Sequence, residues 1–353
     1  MIDFCAPIGY MQMNFVHKHN WLLVLQGWAI LWIVLGNAYL NPSGNDPEWV
    51  STLLKTAYTF HLPLLMFTSG CIFSKKFLLN ENNAKTGESL KGHILGLLIP
   101  YLLFTLVAVI VKVIMTKEPS LPVMATDLIR GLFFPGLQPM SALWFILVLI
   151  CYYLMLPIWK LTFEKSWYAW SFVILLLVVH LLTVPVELFA IKWACYFAFY
   201  FYLGVVIMKK GWLDHLSGMT GFFVFLIGYI VYSISLDVDK TMAEMGGIAF
   251  SIGLVLILNS SFPKTFFTFR EYYFQIFLMG YFVQILFRML YGYFPMPYIL
   301  GYLLCLILGI YVPVIITKII QYRKLTSLYY YIGLNLNANQ PTLDYQNKLA
   351  VEL

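Results

Sequence analysis

Residues 21–37 read WLLVLQGWAILWIVLGN, a hydrophobic run whose only amide side chains are Gln26 and Asn37. As a helix rising 1.5 Å per residue, this run crosses most of the apolar core of a bilayer. Similar runs recur along the chain, which is 61% hydrophobic and 11% charged, whereas soluble domains have about 25% charged residues. The sequence therefore predicts an all-α polytopic membrane protein.

The number of hydrophobic runs predicts the topology. The runs are continuous, which favours transmembrane helices over β-strands, because barrel strands alternate in hydrophobicity. We predict about ten transmembrane helices, an even number that places both termini on one side. The predicted spans are residues 21–40, 55–74, 92–115, 141–159, 168–185, 191–208, 219–236, 244–262, 271–292 and 297–319.

The basic residues predict the orientation of these spans. Fifteen of the 22 Lys and Arg residues fall on the side that holds both termini, and the positive-inside rule makes that side cytoplasmic. We therefore expect a cytoplasmic segment at 1–20, a transmembrane domain at 21–320 and a partly disordered cytoplasmic tail at 321–353. The net charge is +6, but the basic residues are distributed among the loops by membrane side, which argues against a nucleic-acid partner. The predicted location is the plasma (inner) membrane.

The longest outer loop, residues 117–140, contains several Pro and Gly residues, so we expect irregular structure there. Its apolar stretch Phe133-Phe134-Pro135 either dips back into the bilayer or lies on the membrane surface, and the second alternative is favoured.

Five segments carry a resemblance to a known family, in the order expected for it. The most specific is FHLPLLMFTSG at residues 60–70. Together the five make nearly the whole transmembrane part resemble membrane acyltransferase family 3, which includes O-acetyltransferases and fucose 4-O-acetylase-like proteins. The other four are the opening helix with Gly27 and VLG at 34–36, LIPY at 98–101, LWFILVL at 143–149, and FYFYLG at 199–204 followed by Lys209-Lys210.

The resemblance implies transfer of an acyl group, commonly acetyl, from cytoplasmic acyl-CoA to a hydroxyl of a carbohydrate or lipid-linked glycan acceptor. The family's first helix carries an arginine and, after ten further residues, a histidine, but this chain has Gln26 and Asn37 at these positions. Gly96 stands where an arginine often precedes Leu-Ile-Pro, and Gly280 stands where a late segment often ends in histidine. These departures leave open whether the chain is catalytically active.

Gln26 and Asn37 share one helix face, because eleven residues give a net turn of about 20°, and they lie about 16 Å apart along the axis. Neither amide is a base near neutral pH, and neither is charged. Two interpretations stay open. The amides either hydrogen-bond a substrate or an oxyanion, or they make hydrogen bonds between helices.

His61 is the remaining candidate for a general base, because imidazole titrates near neutral pH. Thr68, seven residues on, shares its helix face. Thr68, Ser69 and Trp144, the aromatic landmark of the resemblance, are the candidates for substrate binding. The alternative for His61 is a packing histidine that is bonded to a carbonyl left free by Pro63.

Two groups of charged residues have an open role. Lys75 and Lys76 either contact the phosphates of an acyl-CoA donor or form a solvated edge of the membrane. Asp237, Asp239 and Glu244 are expected in an acidic outer loop that either binds a sugar or a cation or is simply solvated. The five cysteines are scattered without a Cys-x-x-Cys pair, so no metal site is predicted.

Three functions compete at this point. The first is an O-acyltransferase that modifies a surface or exported carbohydrate, with the lipid bilayer as its environment. The second is a non-catalytic member of the same fold, which binds a glycan, a lipid or a partner. The third is a secondary transporter, which is the weakest, because the predicted spans hold few charges near the membrane centre. The sequence makes no prediction of the oligomeric state.

Overall fold

The computed structural model is all-helical, and no strand occurs among the residues that it describes. The predictions for the first 19 residues and for the tail beyond Leu334 fall outside these residues. The described residues are 20–40, 46–79, 86–116, 121–134, 141–182, 186, 188–216, 218–258, 269–293 and 296–334.

Each predicted span contains at least one helix, and the fourth contains two. That span breaks at Met155 because Pro157, near the start of the next helix, has no backbone N–H to continue the ladder. The helices are α1 (Asn20–Asn37), α2 (Glu48–Phe73, continued by a π-helical turn at Ser74–Leu78), α3 (Thr86–Thr116), α4 (Leu121–Phe133), α5 (Trp144–Leu154), α6 (Leu156–Leu161), α7 (Ser166–Leu181), α8 (Ile191–Lys210), α9 (Gly218–Ser235), α10 (Lys240–Leu258), α11 (Tyr273–Tyr291), α12 (Tyr298–Tyr322) and α13 (Thr326–Tyr329).

Six helical segments of the described chain are both long and apolar enough to cross a bilayer. Helices α1, α5 and α7 are apolar but shorter, and α2 is not among the six. The chain is therefore a multi-pass integral membrane protein, while the count of ten spans and the cytoplasmic termini remain predictions. The six segments are Ser89–Val113, Leu188–Lys210, Gly218–Ser235, Lys240–Leu258, Arg270–Tyr291 and Tyr298–Tyr322.

Helix α9 shows how the chain meets lipid. Its buried residues are Gly221, Gly228 and Tyr232, which lie on one face. The remaining surface carries large apolar side chains that are exposed in the part of the chain that the structure describes, including Ile227 and Ile234 at 60% and 69% exposure. Such a contiguous apolar surface requires a lipid environment rather than water.

Helix α4 corrects the expectation of an irregular outer loop, because residues 121–133 are helical. The Lys112 ammonium on α3 lies 2.7 Å from the Asp127 carboxylate on α4, so an ion pair ties the two helices together. Phe133 and Phe134 are exposed apolar residues at the end of α4. Whether this end enters the bilayer stays a prediction, since Pro135 lies outside the described residues.

The chain divides into two compact units. The candidate catalytic residues Gln26, Asn37 and His61 all belong to the first unit, and Trp144 belongs to the second. The first unit comprises residues 1–76, 200–273 and 284–308, and the second comprises residues 77–199, 274–283 and 309–353.

Within the first unit, α2 and the C-terminal part of α8 cross with their backbones in contact. A Cβ atom on Gly70 would lie 1.9 Å from the Phe201 carbonyl oxygen, and one on Gly204 would lie 2.1 Å from the Phe67 carbonyl oxygen. Close crossings through small residues are a common way to pack helices in membranes. The two glycines end the stretches FHLPLLMFTSG and FYFYLG, so two of the segments that carry the family resemblance meet here.

Candidate functional site

The C-terminal end of α1 is held by side chains from three other helices. The last carbonyls of a helix have no partner within it, and in a membrane water does not replace that partner. Three consecutive carbonyls of α1 each accept a side-chain hydrogen bond, which fixes the position of the following residue, Asn37. The donors are Gln284 Nε2 to the Val34 carbonyl at 2.9 Å, the Tyr302 hydroxyl to Leu35 at 2.9 Å and the Tyr58 hydroxyl to Gly36 at 3.1 Å.

Asn37, the last residue of α1, lies at the crossing of α1 and α2. A Cβ atom on the neighbouring Gly36 would meet the Ala57 methyl at 3.6 Å and the Tyr58 ring at 3.8 Å, which is ordinary van der Waals contact. The Asn37 side chain is partly exposed. An amide in this position is able to donate to an oxyanion or to a substrate.

His61 lies one helical turn from this crossing and is buried, with 5% of its surface exposed. Its Nδ1 atom is hydrogen-bonded to the Ala57 carbonyl, which accepts only, so Nδ1 carries the proton. Nε2 then holds a lone pair, as a general base requires. Pro63 leaves the Thr59 carbonyl free, but His61 is bonded to the Ala57 carbonyl instead. The predicted alternative of a bond to the carbonyl freed by Pro63 is therefore wrong. The ring of Tyr58 packs edge-on against the imidazole, with centroids 5.2 Å apart.

Gln26 lies toward the other end of α1, buried at 3% exposure. Its side chain is hydrogen-bonded to the hydroxyl of Tyr273, the first residue of α11. Gln26 therefore makes a hydrogen bond between helices. It precedes Asn37 by eleven residues of α1, about 16 Å along the helix axis, so it lies apart from the crossing at which Asn37 ends the helix.

Lys75 and Lys76 form a basic pair just after α2, at the same end of the first unit as the start of α1. The Trp21 indole N–H donates to the Asp214 carboxylate at 3.3 Å. Burial lowers the pKa of Lys75, and the negative charge of Asp214 partly opposes that shift. Burial also lowers the pKa of Lys76. Both ammonium groups are partly buried, and contact with the phosphates of a donor stays a prediction for them.

Thr68 and Ser69 both use their hydroxyl protons within α2. Each donates to the Leu65 carbonyl, Thr68 at 2.9 Å and Ser69 at 2.8 Å. Thr68 is fully buried, and Ser69 is partly exposed. Their oxygens retain the capacity to accept, so a role in substrate binding stays a prediction and is restricted to accepting hydrogen bonds.

Trp144 belongs to the second unit and lies in an aromatic stack there. Its ring is nearly parallel to those of Trp193 and Phe197, with centroids 4.9 and 5.3 Å away. The side chain is 6% exposed. This packing accounts for the residue structurally, and its role in substrate binding stays a prediction.

The two glycines at family positions differ in their surroundings. A Cβ atom on Gly96 would meet nothing within 4 Å, so there is room for a larger side chain. A Cβ atom on Gly280 would lie 2.7 Å from the Gly309 carbonyl oxygen, closer than real Cβ contacts. In the second unit, α11 and α12 therefore approach each other at a place where a histidine would not fit.

Sequence reasoning missed the buried carboxylate of this region. Glu244 does not lie in a solvated loop; it is 1% exposed on α10 and accepts a hydrogen bond from the Tyr200 hydroxyl. Its other oxygen lies 3.7 Å from the Lys240 ammonium. The spacing of Lys240 and Glu244, one helical turn apart, was the available signal. Asp237 and Asp239 are exposed, as expected for loop residues.

Metal ligation has no defined site in the described chain. The described residues include no group of three or more His, Cys, Asp or Glu that is able to hold a metal ion. The four described cysteines, Cys71, Cys151, Cys195 and Cys305, are all free thiols.

Comparison with known families gives one match. Residues 19–318 match the model of a family described as an acyltransferase domain, acyltransferase family 3, which covers 300 of the 353 residues. No curated protein and no solved structure matches the chain.

Proposed function

The chain belongs to membrane acyltransferase family 3, and we propose that it transfers an acyl group, acetyl in the simplest case, from acyl-CoA to a hydroxyl of a cell-surface or exported carbohydrate. The proposed location is the plasma membrane. The observation that carries the proposal is the imidazole of His61, whose Nδ1 is bonded to the Ala57 carbonyl and whose Nε2 is left with a lone pair.

In the proposed reaction, the acceptor hydroxyl oxygen attacks the thioester carbonyl carbon while His61 Nε2 takes the hydroxyl proton. The C–S bond then breaks, and the CoA thiolate takes the proton from the imidazolium. The tetrahedral intermediate carries a negative oxygen, which needs a hydrogen-bond donor. We assign this role to the amide N–H of Asn37, which ends α1 where that helix crosses α2.

The donor is proposed to enter from the opposite end of the first unit. Lys75 and Lys76 are two adjacent, partly buried cations at that end, and ammonium groups bind phosphates through charge-assisted hydrogen bonds. On the predicted topology this end is cytoplasmic, where acyl-CoA is found.

The test compares O-acyl groups on surface and lipid-linked glycans by mass spectrometry in cells with and without the gene. If an acyl group depends on the gene, His61→Ala should lower the rate of its transfer by about 10²- to 10⁴-fold, which is the usual contribution of a general base. His93→Ala is the matched control, because His93 Nδ1 is likewise bonded to the carbonyl four residues before it, Ser89, at 2.8 Å. Equal acylation by the His61→Ala and wild-type proteins would exclude His61 as the base.

A second candidate is a non-catalytic member of the family that binds a glycan, a lipid or a partner. It is favoured by the way this chain uses family positions for packing. Gln26 is bonded to Tyr273, and Gly280 lies against the backbone of Gly309. Glycans that are identical with and without the gene, together with a phenotype of the deletion that His61→Ala rescues, would favour this function.

A further inference from the structure

An open cleft with a volume of about 450 Å³ lies in the first unit, beside residues 55–59 of α2 and the connection from α9 to α10. Its volume is in the range of small-molecule sites, about 300–1,000 Å³. On the predicted topology, this end of the protein faces away from the cytoplasm. The lining residues are Lys55, Tyr58, Thr59, Leu236, Asp237, Val238, Asp239 and Lys240.

The charges of the cleft balance within it. Two lysines and two aspartates line it, which gives a net charge of zero. Lys55 forms an ion pair with Asp237, and Lys240 lies 3.7 Å from the buried Glu244. Asp239 accepts a backbone N–H in the first turn of α10 at 2.8 Å. Lys55 and Asp237 therefore neutralise each other, and with no net charge the cleft suits a neutral polar ligand better than a charged one.

The remaining groups suit a sugar. Tyr58 is 49% exposed, so part of its ring is open to the apolar C–H face of a sugar ring. Carboxylates accept hydrogen bonds from sugar hydroxyls, and ammonium groups donate to them. The Thr59 hydroxyl donates to the Lys55 carbonyl at 2.8 Å, and its oxygen is left to accept. Aromatic surface and hydroxyl-binding groups are therefore present together.

Tyr58 also connects the cleft with the candidate base. Its ring packs against the imidazole of His61 at 5.2 Å, and its hydroxyl donates to the carbonyl of Gly36, beside Asn37. We infer that the cleft is a binding site for an uncharged carbohydrate, which is the acceptor in the proposed reaction. The role as acceptor rests on the proposed function, while the binding of a neutral glycan does not.

The test uses the purified full-length protein in lipid nanodiscs. The probe is the set of oligosaccharides released from the envelope of cells that lack the gene, sorted by ion exchange into neutral, acidic and cationic fractions. The wild-type protein should retain the neutral fraction. Tyr58→Ala should weaken that retention by about tenfold because the stacking surface is lost, and Tyr58→Phe should preserve it. Tyr293→Ala, which removes an 83% exposed tyrosine outside the cleft, is the matched control.

A charge variant tests the selectivity. Asp237→Lys changes the cleft from a net charge of zero to about +2, so it should shift retention from the neutral to the acidic fraction. The inference is overturned if the wild-type protein prefers the acidic or cationic fraction, if it retains no fraction, or if Tyr58→Ala binds as the wild type does. If the neutral fraction binds but no acyl group depends on the gene, the carbohydrate site is supported and the acyltransferase function is contradicted. If acylation depends on the gene and is not impaired by Tyr58→Ala, and the neutral fraction does not bind, the acyltransferase function is supported and the carbohydrate site is contradicted.

Discussion

The crossing of α2 and α8 allows a quantitative prediction about packing. An alanine at position 70 would place its Cβ 1.9 Å from the Phe201 carbonyl oxygen, about 1.1 Å short of the 3.0 Å below which real Cβ contacts essentially never occur. The obstacle is backbone, so the two helices themselves must separate. Overpacking of this kind typically costs about 1–3 kcal/mol. Gly70→Ala should therefore lower the thermal midpoint by several degrees.

Gly96→Ala is the matched control for this substitution. It makes the same chemical change inside a helix but meets nothing within 4 Å. Alanine favours a helix over glycine by about 0.5–1 kcal/mol, so this variant should be as stable as the wild type or slightly more stable. The assay is thermal denaturation of the purified proteins in one detergent, followed by tryptophan fluorescence.

The double variant Gly70→Ala with Gly204→Ala tests the geometry further. Each methyl group alone separates the same pair of helices, since a Cβ on Gly204 would lie 2.1 Å from the Phe67 carbonyl oxygen. Once one methyl has moved the helices apart, the second needs little more movement. The cost of the double variant should thus be clearly less than the sum of the single costs. Additive costs, or equal midpoints for Gly70→Ala and Gly96→Ala, would refute the close crossing.

Three further predictions concern other contacts. Gly280→His should reduce the folded yield in detergent-solubilised membranes, because its Cβ would lie 2.7 Å from a carbonyl oxygen of α12; a normal yield would contradict the close approach. Tyr302→Phe should lower the unfolding free energy by about 1 kcal/mol, because it removes the side-chain donor of the Leu35 carbonyl, which keeps only the N–H of Ala38 at 3.2 Å; the exposed Tyr293→Phe should be neutral in the same unfolding assay. Burial lowers the pKa of Lys76 below its usual 10.5. Below the lowered pKa, the charged lysine destabilises the folded state relative to the unfolded state. This loss of stability disappears as the pH rises from the lowered pKa toward 10.5. Lys76→Met should therefore be more stable than wild type at neutral pH, and the gain should shrink at alkaline pH in melting curves. A gain that stays the same at every pH would contradict this prediction, and Lys91→Met, at an exposed position, is the control for the loss of a lysine.

The helical architecture was predictable from hydrophobic runs, because a membrane leaves few alternatives to a helix. The all-helical fold and the family were both expected from the sequence and are confirmed. Helix α4 was missed because prolines and glycines in its segment were taken as breakers. Pro122 is the second residue of that helix, where a missing N–H costs nothing.

The candidate site was only partly predictable. The sequence made His61 and Asn37 candidates, and their role stays a prediction, whereas the residues that surround each of them come from tertiary contacts that leave no local pattern. Tyr58 carries no signal beyond its spacing of three residues from His61. Gln284 is a polar residue within a predicted span, which was a usable signal. The burial of Glu244 was not expected, because its partner Tyr200 lies on another helix, 44 residues away.

The three bonds at the end of α1 set an order for biogenesis. The carbonyls of Val34 and Leu35 receive their donors from Gln284 and Tyr302, which the ribosome adds 250 and 267 residues later. Until then, these two carbonyls lack the side-chain donors that they have in the folded protein, although Leu35 is able to accept the N–H of Ala38. The end of α1 therefore lacks these two side-chain hydrogen bonds until α11 and α12 have been synthesised. A nascent chain stopped after Leu258 would hold α1, α2 and α10 and still present that incomplete end to the quality-control proteases of the membrane.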